Sequence, residues 1–295
     1  MKFAAVDIGS NAIRFQVTSV LINEGEPFYK KLEYVRFPLR LGEDVFLNKE
    51  ISPKKEEKFI KLMSAFKLLF ELYEIDDYMI CATSAMRESS NGAKIVERVK
   101  NELGLKIDVI SGEMEAELIN NIILKNLDDK NYLHIDVGGG STELNVYINH
   151  EKVASNSFKI GSVRRLEGKD TPEAWEEMRN WILANIPNHL KPITSIGTGG
   201  NMGKLFELVG KKNKTTASFK QIEKVREDLL KYSIEERINL LMLNPDRADV
   251  IVPAADIYLS AMKWAHSTQI LVPEVGLKDG VIQLLFEKNY KTVNS

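Results

Sequence analysis

LHIDVGGGSTELNVYIN, residues 133–149, runs through apolar residues to one acid, Asp136, then three glycines, then an alternating stretch that reads as a second strand. Glycines carry no Cβ, so the N–H groups around Gly138, Gly139 and Gly140 can converge on one oxyanion as a nest. Phosphate is the natural occupant. The Asp136 carboxylate would repel a phosphate unless a hard divalent cation stood between them, so acid and nest together suggest a phosphate with a metal. A tight hairpin with a purely structural turn is the competing explanation.

A second copy lies upstream. VDIGSNAIRFQV at 6–17 superposes on IDVGGGSTELNV at 135–146 with a constant offset of 129, placing Asp7 on Asp136, Gly9 on Gly138 and Val17 on Val146. Both copies hold an apolar strand, an acid, a small-residue turn and an alternating strand. That separation is too long for a solenoid repeat and reads as two related domains, each presenting an acidic hairpin. Two such hairpins facing one another would clamp a phosphate chain from both sides.

The rest of the chain agrees with an ordinary soluble enzyme. Its 295 residues predict one to three domains with a core that needs no staples. The single cysteine, Cys81, rules out an intramolecular disulfide and points to a reducing, cytoplasmic setting; in YMICATS it reads as a buried small hydrophobe. MKFAAVDIGS enters a strand at once without the apolar length of a signal peptide, and no run approaches the ~18 apolar residues of a membrane span. With 40 basic and 42 acidic residues the net charge is -2, so nucleic acid is not an expected partner and any polyanion must meet a local patch. Arg14, Arg164, Arg165, Lys211, Lys212 and Lys214 are the candidates for such a patch, against the plainer explanation of solvated loops and helix faces. The four histidines show no metal-ligand spacing.

Periodicity predicts strands near 2–7, 12–21, 27–37, 77–82 and 106–110, with helices near 54–73, 92–102 and 113–126. The pattern then restarts with strands near 131–136, 142–149 and 152–159, a helix near 171–187, a strand at 193–196, and mostly helix afterwards. The expected class is α/β, as two duplicated domains with a cleft between them. The expected bounds are 1–125 and 126–295, with the last helix free to return to the first domain, and Asp128 to Asn131 as the most turn-like connection.

Two duplicated, hairpin-bearing α/β domains describe the actin-like (ribonuclease H-like) ATPase fold. More specifically, AAVDIGSNAIRF at 4–15, ATSAMRESSNG at 82–92, VISGEMEAELI at 109–119, IDVGGGSTEL at 135–144, IGSVRRLE at 160–167, IGTGGN at 196–201, RADVIVPA at 247–254 and GLKDG at 276–280 follow one another in this chain. In that order they resemble the exopolyphosphatase and guanosine pentaphosphate phosphohydrolase (Ppx/GppA) family over nearly the whole length. The resemblance implies hydrolysis of a terminal phosphoanhydride, from inorganic polyphosphate or from the 5' end of pppGpp, with Mg2+ or Mn2+. It also implies that Glu115, the acid before the alanine of its motif, is the catalytic base, a role in which a carboxylate orients the attacking water. On a helix Glu113 and Glu117 would point away from it.

Charge then suggests the other roles. Gly9, Ser10 and Asn11 in one hairpin, and Gly138, Gly139, Gly140, Ser141 and Thr142 in the other, would hold phosphates through N–H and hydroxyl groups. Asp136 and Glu143 are the metal candidates, directly or through water, with Asp7 as a third that could instead orient its own loop. Arg87 is the candidate cation on the phosphate chain, against the alternative of a salt bridge that fixes the loop.

The chain departs from the family pattern in places. Met114 and Glu117 stand where many members have Glu and Arg, Ala254 where glycine is usual, and Lys278 and Asp279 where Arg and Glu are usual. The sequence stops at Ser295 without the helical C-terminal domains of long members, so processive digestion of long polymer is not expected, and a homodimer could extend the short groove. The glycine turn IGTGGN at 196–201 does not by itself imply ATP. An ATP-dependent kinase of the same fold and a non-catalytic polyphosphate or alarmone sensor are the alternatives to a hydrolase.

Overall fold

The computed structural model describes residues 1–125, 127–210 and 215–293. It opens with strands β1 (Lys2–Ile8), β2 (Ile13–Asn23) and β3 (Glu26–Phe37), followed by helices α1 (Leu41–Asn48) and α2 (Pro53–Tyr73). Strand β4 (Asp77–Ala82), helices α3 (Ser84–Glu88) and α4 (Gly92–Leu103), strand β5 (Ile107–Val109) and helix α5 (Gly112–Leu124) complete the first run. The second run begins with β6 (Tyr132–Val137), β7 (Thr142–Ile148), β8 (Glu151–Phe158), α6 (Ser162–Leu166) and α7 (Pro172–Asn185). After a 3-10 turn at Asn188–Leu190 come β9 (Thr194–Thr198), α8 (Gly200–Val209), β10 (Thr216–Ser218), α9 (Phe219–Leu230) and α10 (Ile234–Asn239). The chain ends with α11 (Pro245–Ala248), α12 (Ile251–Trp264), β11 (Gln269–Leu271) and α13 (Leu277–Val293).

Contacts divide the chain into two compact units, one of Met1–Asn121 with Leu277–Ser295, the other of Ile122–Gly276. The first sheet has the order β3-β2-β1-β4-β5 and the second β10-β11-β9-β6-β7-β8. Read from its hairpin, the second becomes β8-β7-β6-β9-β11, the same order with β10 added at the edge. Antiparallel pairs join the first three strands of each run, and parallel pairs join β1 to β4, β4 to β5, β6 to β9 and β9 to β11. This is the duplicated actin-like architecture.

In the first unit β1 is central and buried from Phe3 to Ile8, which is why its side chains there are apolar on both faces apart from Asp7 at the hairpin end. Helix α2 begins with Pro53 in its first turn, after Ser52, and turns Phe59, Ile60, Met63, Phe66 and Phe70 inward at helical spacing. Phe66 stacks on Phe15 of β2 at 4.8 Å and Phe70 on Tyr78 of β4 at 4.6 Å. Helix α13 packs on β1, β2 and β4, and Gly280 lets it approach α5, since a Cβ there would collide with the Leu118 carbonyl. In the second unit Leu133, Ile135, Val137, Leu144 and Val146 form one buried apolar face, against which α12 and α7 pack.

Most predicted elements stand within a few residues of their expected places. Helices α1, α3 and α6 and strands β10 and β11 were not expected. Helix α1 starts from Arg40 in the left-handed region (φ 54°) without a side-chain cap, and carries Gly42 in its first turn, so nothing local announces it. The others span three to five residues, too few for a periodic pattern.

Candidate functional site

In the first unit, β1 and β2 meet at the turn bearing Gly9, Ser10 and Asn11, with Asp7 directly across from Arg14. Arg14 Nη1 donates to Asp7 Oδ2 at 2.6 Å, an ion pair with the carboxylate nearly buried. The Ser10 hydroxyl bonds that of Ser84 at 2.8 Å, and the turn carbonyls are held from α1, with Arg40 N donating to Asn11 O and Gly42 N to Ser10 O. Gly42 is required there, because a Cβ would stand 2.8 Å from the Ser10 Cβ. Register carries Asp7 into a row across the sheet: Arg36, Arg14, Asp7, Cys81, Asp108. Burial pushes the Cys81 thiol up to about 12, with Asp7, Asp108 and Glu115 adding to the shift, so these acids converge on one end of the sheet and the thiol stays protonated.

Glu115 lies on the first turns of α5 and is partly exposed, whereas Glu113 and Glu117 are exposed, as the helical spacing predicts. The turn before it is set by Ser111, whose carbonyl accepts from Glu115 N and whose hydroxyl accepts from Met114 N. Arg87, exposed on α3, donates from Nη1 to the Ile110 carbonyl at 2.5 Å. It thereby ties α3 to the segment leading into α5.

In the second unit the glycine turn is held from behind. Ser162 N donates to the Gly138 carbonyl, and Val163 N and Arg164 N to that of Gly139. Arg164 Nε donates to Gly140 O at 2.7 Å, and Thr142 Oγ1 to Ile160 O at 2.6 Å. Gly138 N closes the turn on Ser141 O. With the carbonyls of Gly138, Gly139 and Gly140 taken from the α6 side, the N–H groups of Gly139, Gly140 and Ser141 have no acceptor among the described residues. Three successive backbone donors left in one turn are what an anion site uses. Gly161 makes the contact possible, since a Cβ there would lie 2.5 Å from the Gly139 carbonyl group.

Beside the turn, register aligns Ser157, Glu143, Asp136 and Thr198 across β8, β7, β6 and β9. Glu143 is 2% exposed, and Ser157 Oγ donates to its Oε1 at 2.8 Å. Tyr258 from α12 bonds the Thr198 carbonyl and accepts from Val137 N. Burial, and then the charges of Asp136 and Glu143, push its phenol well above the ordinary value. Gly199 opens α8 at φ 93°, and a Cβ there would stand 3.0 Å from Asp136 Oδ1.

The duplication shows where the two hairpins differ. Asp7 faces Arg14; at the corresponding positions Asp136 faces Glu143. The first copy pairs its acid with a base across the hairpin, and the second sets two carboxylates opposite one another. The donors there are all oxygen, which fits Mg2+ or Mn2+. No cluster of three or more acids, histidines or cysteines suited to a metal occurs among the described residues, so the protein would supply two carboxylates, and water or substrate the remaining ligands.

The three described arginines of the candidate basic patch are each engaged by neighbours. Arg164 is 4% exposed beneath the glycine turn, its guanidinium consumed by the turn carbonyl. Arg165 is held by Asp170 at 2.9 Å and Asp256 at 3.2 Å and lies over the Trp175 ring. Arg14 is paired with Asp7. Lys211, Lys212 and Lys214 lie outside the described residues. Gly42, Asp108, Gly161, Gly199 and Tyr258 escaped the sequence reading of the site; the duplication could have flagged none of them, because their partners are distant in the chain. The IGTGGN glycines are explained by packing, Gly197 against Ile270 and Met202, and Gly199 against Asp136.

The profile of the Ppx/GppA phosphatase family matches residues 22–288. A bifunctional 3-dehydroquinate synthase/phosphatase of Fusobacterium nucleatum is 28% identical over 92% of this chain and 44% of its own length. A guanosine-5'-triphosphate,3'-diphosphate pyrophosphatase of Aliivibrio fischeri is 24% identical, over 95% of this chain and 58% of its own. The chain thus spans about half the length of these two relatives. Exopolyphosphatase 1 of Mycobacterium tuberculosis is 22% identical over 96% of this chain and 87% of its own. Among solved structures, an exopolyphosphatase from Cytophaga hutchinsonii superposes with a TM-score of 0.83 at 23% identity, covering 98% of both chains. A Ppx/GppA family member from Aquifex aeolicus gives 0.75 at 24% identity, covering 98% of this chain and 99% of its own. At these identities the structural likeness shows the fold.

Proposed function

This chain belongs to the Ppx/GppA phosphatase family, and from that premise we propose that it releases terminal phosphate from inorganic polyphosphate by attack of a Glu115-activated water. The observation that carries the reading is the second hairpin, where three N–H groups without an acceptor among the described residues adjoin two carboxylates set face to face. A phosphate chain supplies the anion for the nest, and a divalent cation, held by Asp136 and Glu143, would supply charge neutralisation for the pair and for the phosphate oxygens. Asp7, already shared with Arg14, is the third metal candidate. Gly9, Ser10 and Asn11 of the first hairpin would hold phosphate through N–H and hydroxyl groups, and the relatives named for polyphosphate and for a guanosine polyphosphate frame the substrate choice. Polyphosphate is preferred here because a bare phosphate chain needs only N–H donors and a cation, which the second hairpin offers.

In the proposed step, water attacks the terminal phosphorus, its proton passes to Glu115 Oε, and the anhydride P–O bond breaks toward the shortened chain. The Gly139, Gly140 and Ser141 N–H groups would stabilise the charge on the transferred group, as donors aimed where charge develops. Arg87 would act on the chain with its remaining guanidinium N–H groups while one nitrogen stays on Ile110 O. The test is phosphate release, with Mg2+, from short polyphosphate, long polyphosphate, pppGpp and ATP in parallel. Release from polyphosphate that falls on the order of 10²–10⁴-fold in Glu115→Gln is the expected result. An unchanged rate in Glu115→Gln would sink the mechanism, and release chiefly from pppGpp would replace the substrate. Tight binding of all four without release would mean a sensor.

A further inference from the structure

Behind the Asp136 row lies a second polar row that the proposed chemistry does not use. Ser155 Oγ donates to Asn145 Oδ1 at 2.7 Å, Asn145 Nδ2 bonds His134 Nδ1 at 3.0 Å, and His134 Nε2 bonds Thr198 Oγ1 at 2.8 Å. His134, Asn145 and Thr198 are essentially sealed from solvent. The direction of the chain is set at one end. With Asn145 Oδ1 accepting from Ser155, the amide nitrogen faces the ring, and an amide nitrogen can only donate. His134 Nδ1 must therefore present its lone pair, the proton sits on Nε2, and Thr198 Oγ1 is the acceptor. A hydroxyl that has accepted one hydrogen bond still has its own proton to give. Thr198 is in register with Asp136 on the same face of the sheet, and the next residue, Gly199, lies against Asp136 Oδ1.

The fold does not require this histidine. Under the offset of 129, His134 corresponds to Ala5, buried in the same place on β1, where the sheet forms without a ring. The row belongs to the hairpin whose acid faces another acid.

The geometry points to His134 as a positioning residue: as the Nε2–H tautomer it turns the Thr198 hydroxyl into a donor to the Asp136 carboxylate, and so fixes that carboxylate for a divalent cation. The inference rests on the proposed metal role of Asp136. Outer partners of this kind orient a ligating oxygen, and their loss costs about 10–100-fold in metal affinity.

Two measurements test it on the full chain. Histidine ¹⁵N shifts are expected to show a His134 ring bare at Nδ1 and protonated at Nε2, and the opposite tautomer or an imidazolium overturns the assignment. Mn2+ binding, followed by EPR without substrate, is expected to weaken about 10-fold or more in His134→Val and in Thr198→Val. The double variant should be no weaker than either single one, because both break the same link. His134→Gln, which keeps an amide N–H near the Nε2 position, and Thr198→Ser, which keeps the hydroxyl, should restore most of the affinity. The Thr198→Val and Thr198→Ser pair decides the matter if the His134 variants fold poorly. Asp136→Asn separates the two claims. If it loses Mn2+ while His134→Val and Thr198→Val bind as wild type, the positioning role alone is overturned. If Asp136→Asn also binds as wild type, the metal reading fails and the positioning role falls with it.

Discussion

Single residues in this protein are set by what stands opposite them. The difference between Arg14 and Glu143 separates an acid that faces a base from one that faces a second acid, although both occupy the same place in a duplicated hairpin. His134 allows a separate expectation about stability. Its folded-state value of about 3 lies below the 6.5 of the free side chain, so the unfolded chain binds the extra proton. Stability from this group is complete above pH 6.5 and is lost as pH falls toward 3, at up to about 1.4 kcal/mol per pH unit. Denaturant unfolding between pH 7 and pH 4 should show that slope, and His134→Val should reduce it. The raised Cys81 thiol makes the opposite expectation about reactivity: the folded protein should resist alkylation at pH 8, and the unfolded chain should react.

At the scale of elements, the glycine turn depends on α6. Five hydrogen bonds from Ser162, Val163 and Arg164 reach back to the carbonyls of Gly138, Gly139 and Gly140, and they hold the turn in place. The join admits no side chain at Gly161, where a Cβ would sit 2.5 Å from the Gly139 carbonyl group. Gly161→Ala is expected to destabilise the protein by about 1–3 kcal/mol, as overpacking does, and to weaken phosphate-chain binding beyond what the stability loss explains. Calorimetry of unfolding and of short-polyphosphate binding checks both. The same logic applies to two arginines of the candidate basic patch: Arg164 is a tie between α6 and the turn, and Arg165 is held by Asp170, Asp256 and Trp175.

At the scale of the molecule, the last helix belongs to the first compact unit. Helix α13 buries Leu277, Val281, Ile282, Leu285 and Phe286, and Asp77 on β4 accepts from Lys288 at 3.1 Å and from Asn289 at 2.9 Å. Five such side chains at about 1.5–3 kcal/mol each amount to roughly 10 kcal/mol, comparable with the whole stability of a domain. A chain ending at Gly276 should therefore lose hydrogen-exchange protection in β1, β2 and β4 while retaining it in β6, β7 and β9. Equal protection in both sheets would show that α13 is dispensable. No helix among the described residues is long and apolar enough to cross a membrane.

By itself the sequence determined the duplication, the α/β class, the acid and glycine turn of each hairpin, and the family motifs from residue 4 to residue 280. These are encoded in alternation, helical spacing and the small residues of a turn, which act over a few positions. The tertiary structure alone decided which acid faces which base across a sheet, why Gly161 and Gly199 can be nothing larger, and where Arg164, Tyr258 and His134 spend their hydrogen bonds. Those contacts join residues tens of positions apart, and they follow from strand register and helix packing, which no local pattern records.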